Sequence, residues 1–160
     1  MAMTDQRAVE ESPPGAFEDF YRREWPRAVR LAALLTQTAG AEDVAQEAFT
    51  RVYPKWRQIE NPQAYLRAAV VNGCRNAAVR ANTAKAKLPL VAIDDAVQFE
   101  FDALADAVAS LPYRPRAVLV LRYYEDCTEA EIAEILNCRP GTVKSLASRA
   151  LEQLKKEIVR

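Results

Sequence analysis

The sequence predicts an all-α protein made of two small helical domains joined by a flexible acidic linker. Three observations carry that prediction. Apolar residues recur at three- and four-residue spacing through most of the 160-residue chain, and no stretch alternates as a half-buried strand would. Proline and glycine stand where helices begin and end, at Gly40, Pro62, Pro112 and Pro140. Between Leu88 and Leu111 there are five acids (Asp94, Asp95, Glu100, Asp102 and Asp106) and no base, and Leu88-Pro89 opens that stretch. Residues 86–100 are therefore read as the linker, with one domain over 16–85 and the other over 101–160.

Residues 1–15 are polar and end in Ser12-Pro13-Pro14-Gly15, so they read as a mobile tail. A first helix runs from Phe17 to about Thr36, with Phe17, Phe20, Tyr21, Ala28, Leu31, Ala32 and Leu35 inward. Pro26 is expected to kink or interrupt it. Gly40 breaks the chain, and a second helix follows from about Ala41 to Trp56. Its apolar set is Ala41, Val44, Ala45, Ala48, Phe49 and Val52. Asn61-Pro62 starts a third helix reaching about Ala84, with Ala64, Tyr65, Ala68, Ala69, Val71 and Val79 as its inward set. After the linker, a short helix near 101–109 precedes another with Pro115 in its first turn and Ala117, Val118, Leu121 and Tyr124 inward.

The last two helices hold the most specific local chemistry. Thr128 followed three residues later by Glu131 is a capping box, which marks a helix start. Ile132, Ala133 and Leu136 form its buried face, and Asn137 tolerates the left-handed backbone that ends a helix. Pro140 suits the first turn of the next helix, where a missing N–H costs nothing. Val143, Ala147, Ala150, Leu151 and Leu154 make that helix's inner face and leave Thr142, Ser145 and Arg149 outward. The pair reads as a helix-turn-helix, a unit that lays its second helix in a DNA groove; the plainer reading is an ordinary helical hairpin. Charge favours DNA. Tyr123–Cys138 holds five acids and no base, whereas Arg139–Arg160 holds six bases against Glu152 and Glu157. A cationic helix beside an anionic one turns a single face to phosphate.

Two further surfaces stand out. Gln63–Lys87 contains Arg67, Arg75, Arg80, Lys85 and Lys87 with no acid, beside Trp56, Tyr65 and the amides Asn61, Gln63, Asn72 and Asn76. Bases, amides and aromatics together suit opened DNA, where nucleobases stack and show their edges. The second helix carries Glu42, Asp43, Gln46, Glu47 and Thr50 on its outer face, which suits a basic protein partner rather than phosphate. A solvated face is the alternative for either surface.

Composition excludes other classes. Equal numbers of acids and bases, 22 each, argue against a nonspecific nucleic-acid coat. There is no histidine, so the commonest general base and metal ligand are absent. Cys74, Cys127 and Cys138 are odd in number and far apart, which indicates neither a disulfide framework nor a zinc motif. No apolar run approaches a membrane span, and the N-terminus lacks a secretory layout. The chain is read as cytoplasmic, without membrane insertion, cofactor or metal, and not an enzyme. A small helical enzyme is a further alternative, in which Asp94, Asp95 and Glu100 could pose as catalytic carboxylates, but they lie in the linker with no histidine, metal motif or glycine-rich phosphate loop nearby.

The residues resemble the extracytoplasmic-function (group IV) members of the sigma-70 family of bacterial RNA polymerase sigma factors, closest in wording to actinobacterial ones. Ala41-Glu42-Asp43-Val44-Ala45-Gln46-Glu47-Ala48-Phe49 resembles region 2.2, and Tyr65-Leu66-Arg67 through Asn72 to Arg75 resembles regions 2.3 and 2.4. Leu111-Pro112 with Arg116 and Leu119 to Tyr124 resembles region 4.1, and the helix-turn-helix resembles region 4.2, with Gly141-Thr142-Val143-Lys144-Ser145 close to the usual wording. The resemblance implies a protein that binds core polymerase, at the β′ clamp helices and the β flap, and directs it to promoter DNA. It implies that Asp43, Gln46 and Glu47 meet the clamp helices. Asn72, Arg75, Asn76 and Arg80 would face the −10 element, with the Arg57–Asn61 loop holding an extruded base. Arg139, Thr142, Lys144, Ser145 and Arg149 would meet the −35 element. Family members are often held by an anti-sigma factor, which makes such a protein a candidate partner. Two positions depart from the family pattern: Leu146 stands where many members have Arg or Gln, and Arg139 replaces a frequent Ser. The rival reading is a stand-alone helix-turn-helix regulator that binds an operator, which leaves the acidic 41–50 face and the basic 63–87 helix without a task.

Overall fold

The computed structural model describes residues 15–36, 40–84 and 102–159, with side chains given for all of these except 81–84 and 102–105. The predicted linker, 86–100, and all but the last residue of the predicted tail lie outside the described residues. Seven α-helices are described: α1 (Ala16–Thr36), α2 (Ala41–Val52), α3 (Pro62–Ala84), α4 (Asp102–Ala109), α5 (Tyr113–Leu119), α6 (Glu129–Leu136) and α7 (Pro140–Ile158). No strand occurs among the described residues. The all-α expectation holds.

The first bundle is α1, α2 and α3 packed against one another. Its core is the expected one in α1 and α2: Phe20, Ala28, Leu31, Ala32 and Leu35 against Val44, Ala45, Ala48, Phe49 and Val52. Aromatic rings close one end, with Phe17, Phe20 and Trp56 mutually in contact and Tyr21 stacked on Trp25 at 5.4 Å. At the α2–α3 crossing, a Cβ on Gly73 would stand 2.9 Å from Val44 Cγ1, so the helices approach where only glycine fits.

Two expectations need correction and one is narrowed: of the kink or interruption expected in α1, Pro26 causes no interruption. Its missing N–H deprives only the Arg22 carbonyl of a helical donor, and both residues are exposed, so that carbonyl is not buried without a partner. The second helix stops at Val52 and continues as a 3₁₀ turn, Tyr53–Lys55, because Pro54 stands where the helix would need a donor. In α3 the inward face is rotated from the one expected: Leu66, Val70 and Cys74 are buried with Ala69 and Val71, whereas Val79 is 61 % exposed. Leu66, Val70 and Cys74 follow the four-residue ridge, and Val79 falls off it.

The second bundle packs α7 against α4, α5 and α6. After Leu119 the chain passes through a π-type turn, Val120–Tyr124, in which the Glu125 amide donates to the Val120 carbonyl at 3.1 Å. Asp126 follows with φ of 53°. The capping box at α6 is present in both directions: the Glu131 amide donates to Thr128 Oγ1 at 3.2 Å, and the Thr128 amide donates to Glu131 Oε2 at 2.8 Å. Asn137 ends α6 in the left-handed region, φ 51° and ψ 54°. Val143, Ala147, Ala150 and Leu154 are buried as expected, but Leu151 is 37 % exposed, at the margin of the α7 stripe.

The two bundles are in contact. α1 packs against α4, α5 and the π turn, and α3 against α5, so one apolar cluster runs from Leu35 and Val70 to Ala117, Leu121 and Val143. Arg116 lies at this junction, 9 % exposed. Its guanidinium donates to the carbonyls of Leu35 (2.7 Å), Leu111 (2.7 Å), Ala109 (3.2 Å) and Val108 (3.3 Å). Leu35, Val108 and Ala109 close α1 and α4, where helices leave acceptors unsatisfied and the dipole favours a cation, and Leu111 lies in the turn after α4. Burial pulls the guanidinium pKa down, opposed by Tyr113. Tyr113 Oη donates to the Val71 carbonyl at 2.6 Å, and burial pushes its phenol pKa up, which keeps the donor proton in place. Cys74, whose thiol is pushed up to about 12 by burial, is a core residue.

Two outcomes test this packing. Arg116→Met should strand several buried carbonyls at about 1–3 kcal/mol each. Calorimetry should show the melting midpoint falling by roughly 10 °C, since a chain of this size loses about 2–4 °C per kcal/mol. An unchanged midpoint would mean that Arg116 does not tie the bundles together. Thr128→Ala should cost about 1 kcal/mol through loss of one cap bond, a fall of about 3 °C in the same experiment.

Candidate nucleic-acid interface

The exposed face of α7 is set by what its inner face buries. Val143, Ala147 and Ala150 turn inward, which leaves Arg139, Lys144, Ser145 and Arg149 exposed and Thr142 half-buried. Arg139 is the N-cap residue, extended at φ −81° and ψ 150°, and makes no side-chain cap bond, so the α7 N-terminus begins with a cation rather than a capping oxygen. Ser145 Oγ donates to the Gly141 carbonyl at 3.1 Å, and Arg149 Nε donates to the Ser145 carbonyl at 3.4 Å. Lys144 Nζ lies 3.8 Å from Glu129 Oε2, with its side chain 69 % exposed. That pair is loose and solvated, so it restrains Lys144 little. Leu146 packs at the edge of the core.

The basic α3 helix is only partly as expected. Arg75, Asn76 and Arg80 are exposed and Asn72 is half-buried. Arg80 Nε donates to the Asn76 carbonyl at 3.4 Å. Arg67 does not belong to this exposed surface. Its side chain is 16 % exposed, and Nε donates to Glu125 Oε2 at 3.1 Å. One member each of the expected basic and acidic runs therefore cancel across the bundle junction. Trp56 also departs from its expected place as an open stacking platform, because it packs 4.9 Å from Phe20.

Asn61 caps α3: Oδ1 accepts from the Ala64 amide at 3.1 Å, and the Asn61 carbonyl accepts from the Tyr65 amide at 3.1 Å. Arg57 and Asn61 are both exposed on the short loop between the 3₁₀ turn and α3. Two residues beside this loop were missed in the sequence. Lys55 Nζ sits 5.8 Å from the Tyr65 ring centroid and donates to Tyr65 Oη at 3.4 Å, and Tyr53 is 66 % exposed with its ring 4.9 Å from Phe17. Their signal was Pro54, which ends α2 and turns both side chains out.

The acidic face of α2 lies opposite its buried stripe. Asp43, Gln46 and Glu47 are exposed, and Val44, Ala48 and Phe49 are buried. Gln46 Oε1 accepts from Tyr21 Oη at 3.2 Å, and Glu47 pairs with Arg51 one turn on at 3.1 Å. Among the described residues no group of three or more metal-ligating side chains is assembled, and no helix is long and apolar enough to cross a membrane.

The chain has clear relatives. The family model described as sigma-70, region 4, matches residues 101–154. The RNA polymerase sigma-E factor of Streptomyces coelicolor is 34 % identical over 153 residues, covering 89 % of this chain and 86 % of the relative. The ECF RNA polymerase sigma factor SigW of Bacillus subtilis is 31 % identical over 143 residues, covering 74 % and 75 %. Among solved structures, the sigma factor RpoE of Bartonella quintana, in complex with the anti-sigma factor NepR, superposes with a TM-score of 0.75 at 22 % identity, covering 90 % of this chain and 97 % of that one. CnrH in complex with the cytosolic domain of CnrY gives 0.66 at 18 % identity, covering 89 % and 86 %. These likenesses share the helical fold seen here. The chain belongs to the extracytoplasmic-function sigma factors of RNA polymerase.

Proposed function

We propose that this sigma factor binds core polymerase through the acidic face of α2 and reads promoter DNA with two separate helices. Asp43, Gln46 and Glu47 meet a basic surface of the β′ clamp helices, and the second domain meets the β flap. Arg75, Asn76 and Arg80, with Asn72, face the −10 element, and the Arg57–Asn61 loop receives an extruded base. Arg139, Thr142, Lys144, Ser145 and Arg149 meet the −35 element, as an α7-type recognition helix does in a major groove. The observation that carries the reading is the separation of charge. The acids of α2 stand exposed opposite buried Val44, Ala48 and Phe49, while the bases of α3 and α7 stand exposed on other helices. Such a protein acts in the cytoplasm, performs no catalysis itself and needs no cofactor. The RpoE complex, whose partner NepR is an anti-sigma factor, adds such a protein as a candidate partner. A stand-alone operator-binding regulator would have no use for the α2 face.

Two experiments separate these readings. Asp43→Lys with Glu47→Lys should abolish capture of core polymerase, because like charges across an interface cost several kcal/mol, about a hundredfold or more in affinity. Circular dichroism should remain helical, since both side chains are exposed. Wild-type holoenzyme assembly by that variant would overturn the assignment. Lys144→Ala and Arg149→Ala should weaken promoter use without unfolding. A phosphate contact should weaken all promoters and flatten the salt dependence, whereas a base contact should cost roughly 1–3 kcal/mol at one position. Full run-off transcription by both variants on every promoter would remove α7 from the −35 element.

A further inference from the structure

The outer row of α7 carries hydrogen-bonding side chains at every position but one. Thr142, Ser145, Leu146 and Arg149 follow the i, i+3, i+4, i+7 spacing that lines up one face of a helix. Ser145 and Arg149 are exposed, and Thr142 and Leu146 are half-buried. Leu146 has no group that donates or accepts. Part of it packs on the apolar cluster that contains Val143 and Ala147. The rest stays open to solvent, between Thr142 one turn before it and Arg149 three residues after it. Core packing accounts for the buried part of this leucine and leaves the open part without a partner in the chain. The backbone leading into the row is bare as well. A Cβ on Gly141 would stand in open space, so nothing in the packing of the described residues asks for glycine there, although glycine is a poor helix former. A helix turn without a side chain can come close to a ligand. A short side chain such as leucine needs that approach to reach a base edge, whereas a long arginine does not.

The neighbours of Leu146 are matched to polar base edges. Arg149 supplies a cationic fork, and Thr142 supplies a hydroxyl. The Ser145 hydroxyl donates to the Gly141 carbonyl at 3.1 Å, which leaves its lone pairs to accept from a base amino group. In the major groove every base pair offers hydrogen-bonding groups, but only one base offers an apolar group, the C5-methyl of thymine. An apolar side chain in this row therefore has a single complementary base. We propose that Leu146 determines specificity in the −35 element by selecting a thymine through its C5-methyl. This inference rests on the assignment of α7 to that element. A guanine or cytosine at the same position would present polar groups to the leucine and leave them without a partner, which costs binding. The contact works by excluding water from two apolar groups, so it is insensitive to salt, unlike the phosphate contacts of neighbouring cations.

The test uses the full chain with core polymerase and a promoter recovered by run-off transcription. Each thymine of the −35 region, on either strand, is replaced singly by deoxyuridine, which removes the methyl group and keeps every hydrogen-bonding group. Competition between the two duplexes for holoenzyme should show about fourfold weaker binding at one thymine, the worth of one methyl group taken out of water. Leu146→Ala and Leu146→Gln should bind the thymine and deoxyuridine duplexes alike. Each comparison sets two duplexes against one protein, so partial loss of folded chain cancels from the ratio. Leu146→Met keeps an apolar side chain of similar volume and should keep the discrimination. No response at any thymine with the parent chain would overturn the assignment. So would discrimination that persists undiminished in Leu146→Ala and Leu146→Gln. The reading of α7 is tested apart from this one by replacing the whole −35 region with unrelated sequence, which should weaken binding far more than any single deoxyuridine. If that exchange changes nothing, α7 does not read the −35 element, and the role of Leu146 falls with it.

Discussion

The structure depends on one buried guanidinium. Arg116 gathers four main-chain carbonyls, from the end of α1, from α4 and from the turn that leads into α5. A buried charge is tolerated only where it is hydrogen-bonded, and this one is bonded to main-chain carbonyls at the ends of α1 and α4 and in the turn after α4. It thereby fixes where α1 stops, where α5 starts and how the first bundle meets the second. Lysine has the charge but not the planar fork needed to reach several carbonyls at once.

With the bundles held this way, each helix separates a packing face from a working face. α2 buries Val44, Ala48 and Phe49 and shows acids; α7 buries Val143, Ala147 and Ala150 and shows bases. The working side chains are therefore placed by hydrophobic burial, while their charges play little part in holding the helices. Exposed pairs such as Glu47 with Arg51 add little stability. This division lets one small chain carry one acidic and two basic surfaces. The ion pairs of the two least exposed carboxylates lie around Glu125, between the bundles, and around Glu24, within α1.

Local rules were legible in the sequence and long-range partners were not. The capping box at Thr128, the left-handed Asn137 and the start of α3 at Asn61-Pro62 depend on residues within a few positions of one another, and the structure shows each. Periodicity gave the α1 and α2 cores but misplaced Val79 and Leu151, because a long helix has more apolar residues than one face can bury. Pro54 was the signal for the early end of α2 and was passed over. Arg67 was counted as free because its partner, Glu125, is 58 residues away, and the reach of Arg116 to Leu35 spans 81. Counting charges along a segment cannot reveal which of them the fold has already paired. The candidate site residues on α2, α3 and α7 come from the family resemblance, while composition and periodicity mark the surfaces on which they lie.

The central claim is that this chain confers promoter selectivity on RNA polymerase. Run-off transcription with purified core polymerase on a library of genomic fragments, with and without the chain, tests it most directly. The account predicts new transcripts only when the chain is present, each starting a fixed distance downstream of a shared pair of elements. No new transcripts, together with tight operator binding by the chain alone, would contradict it.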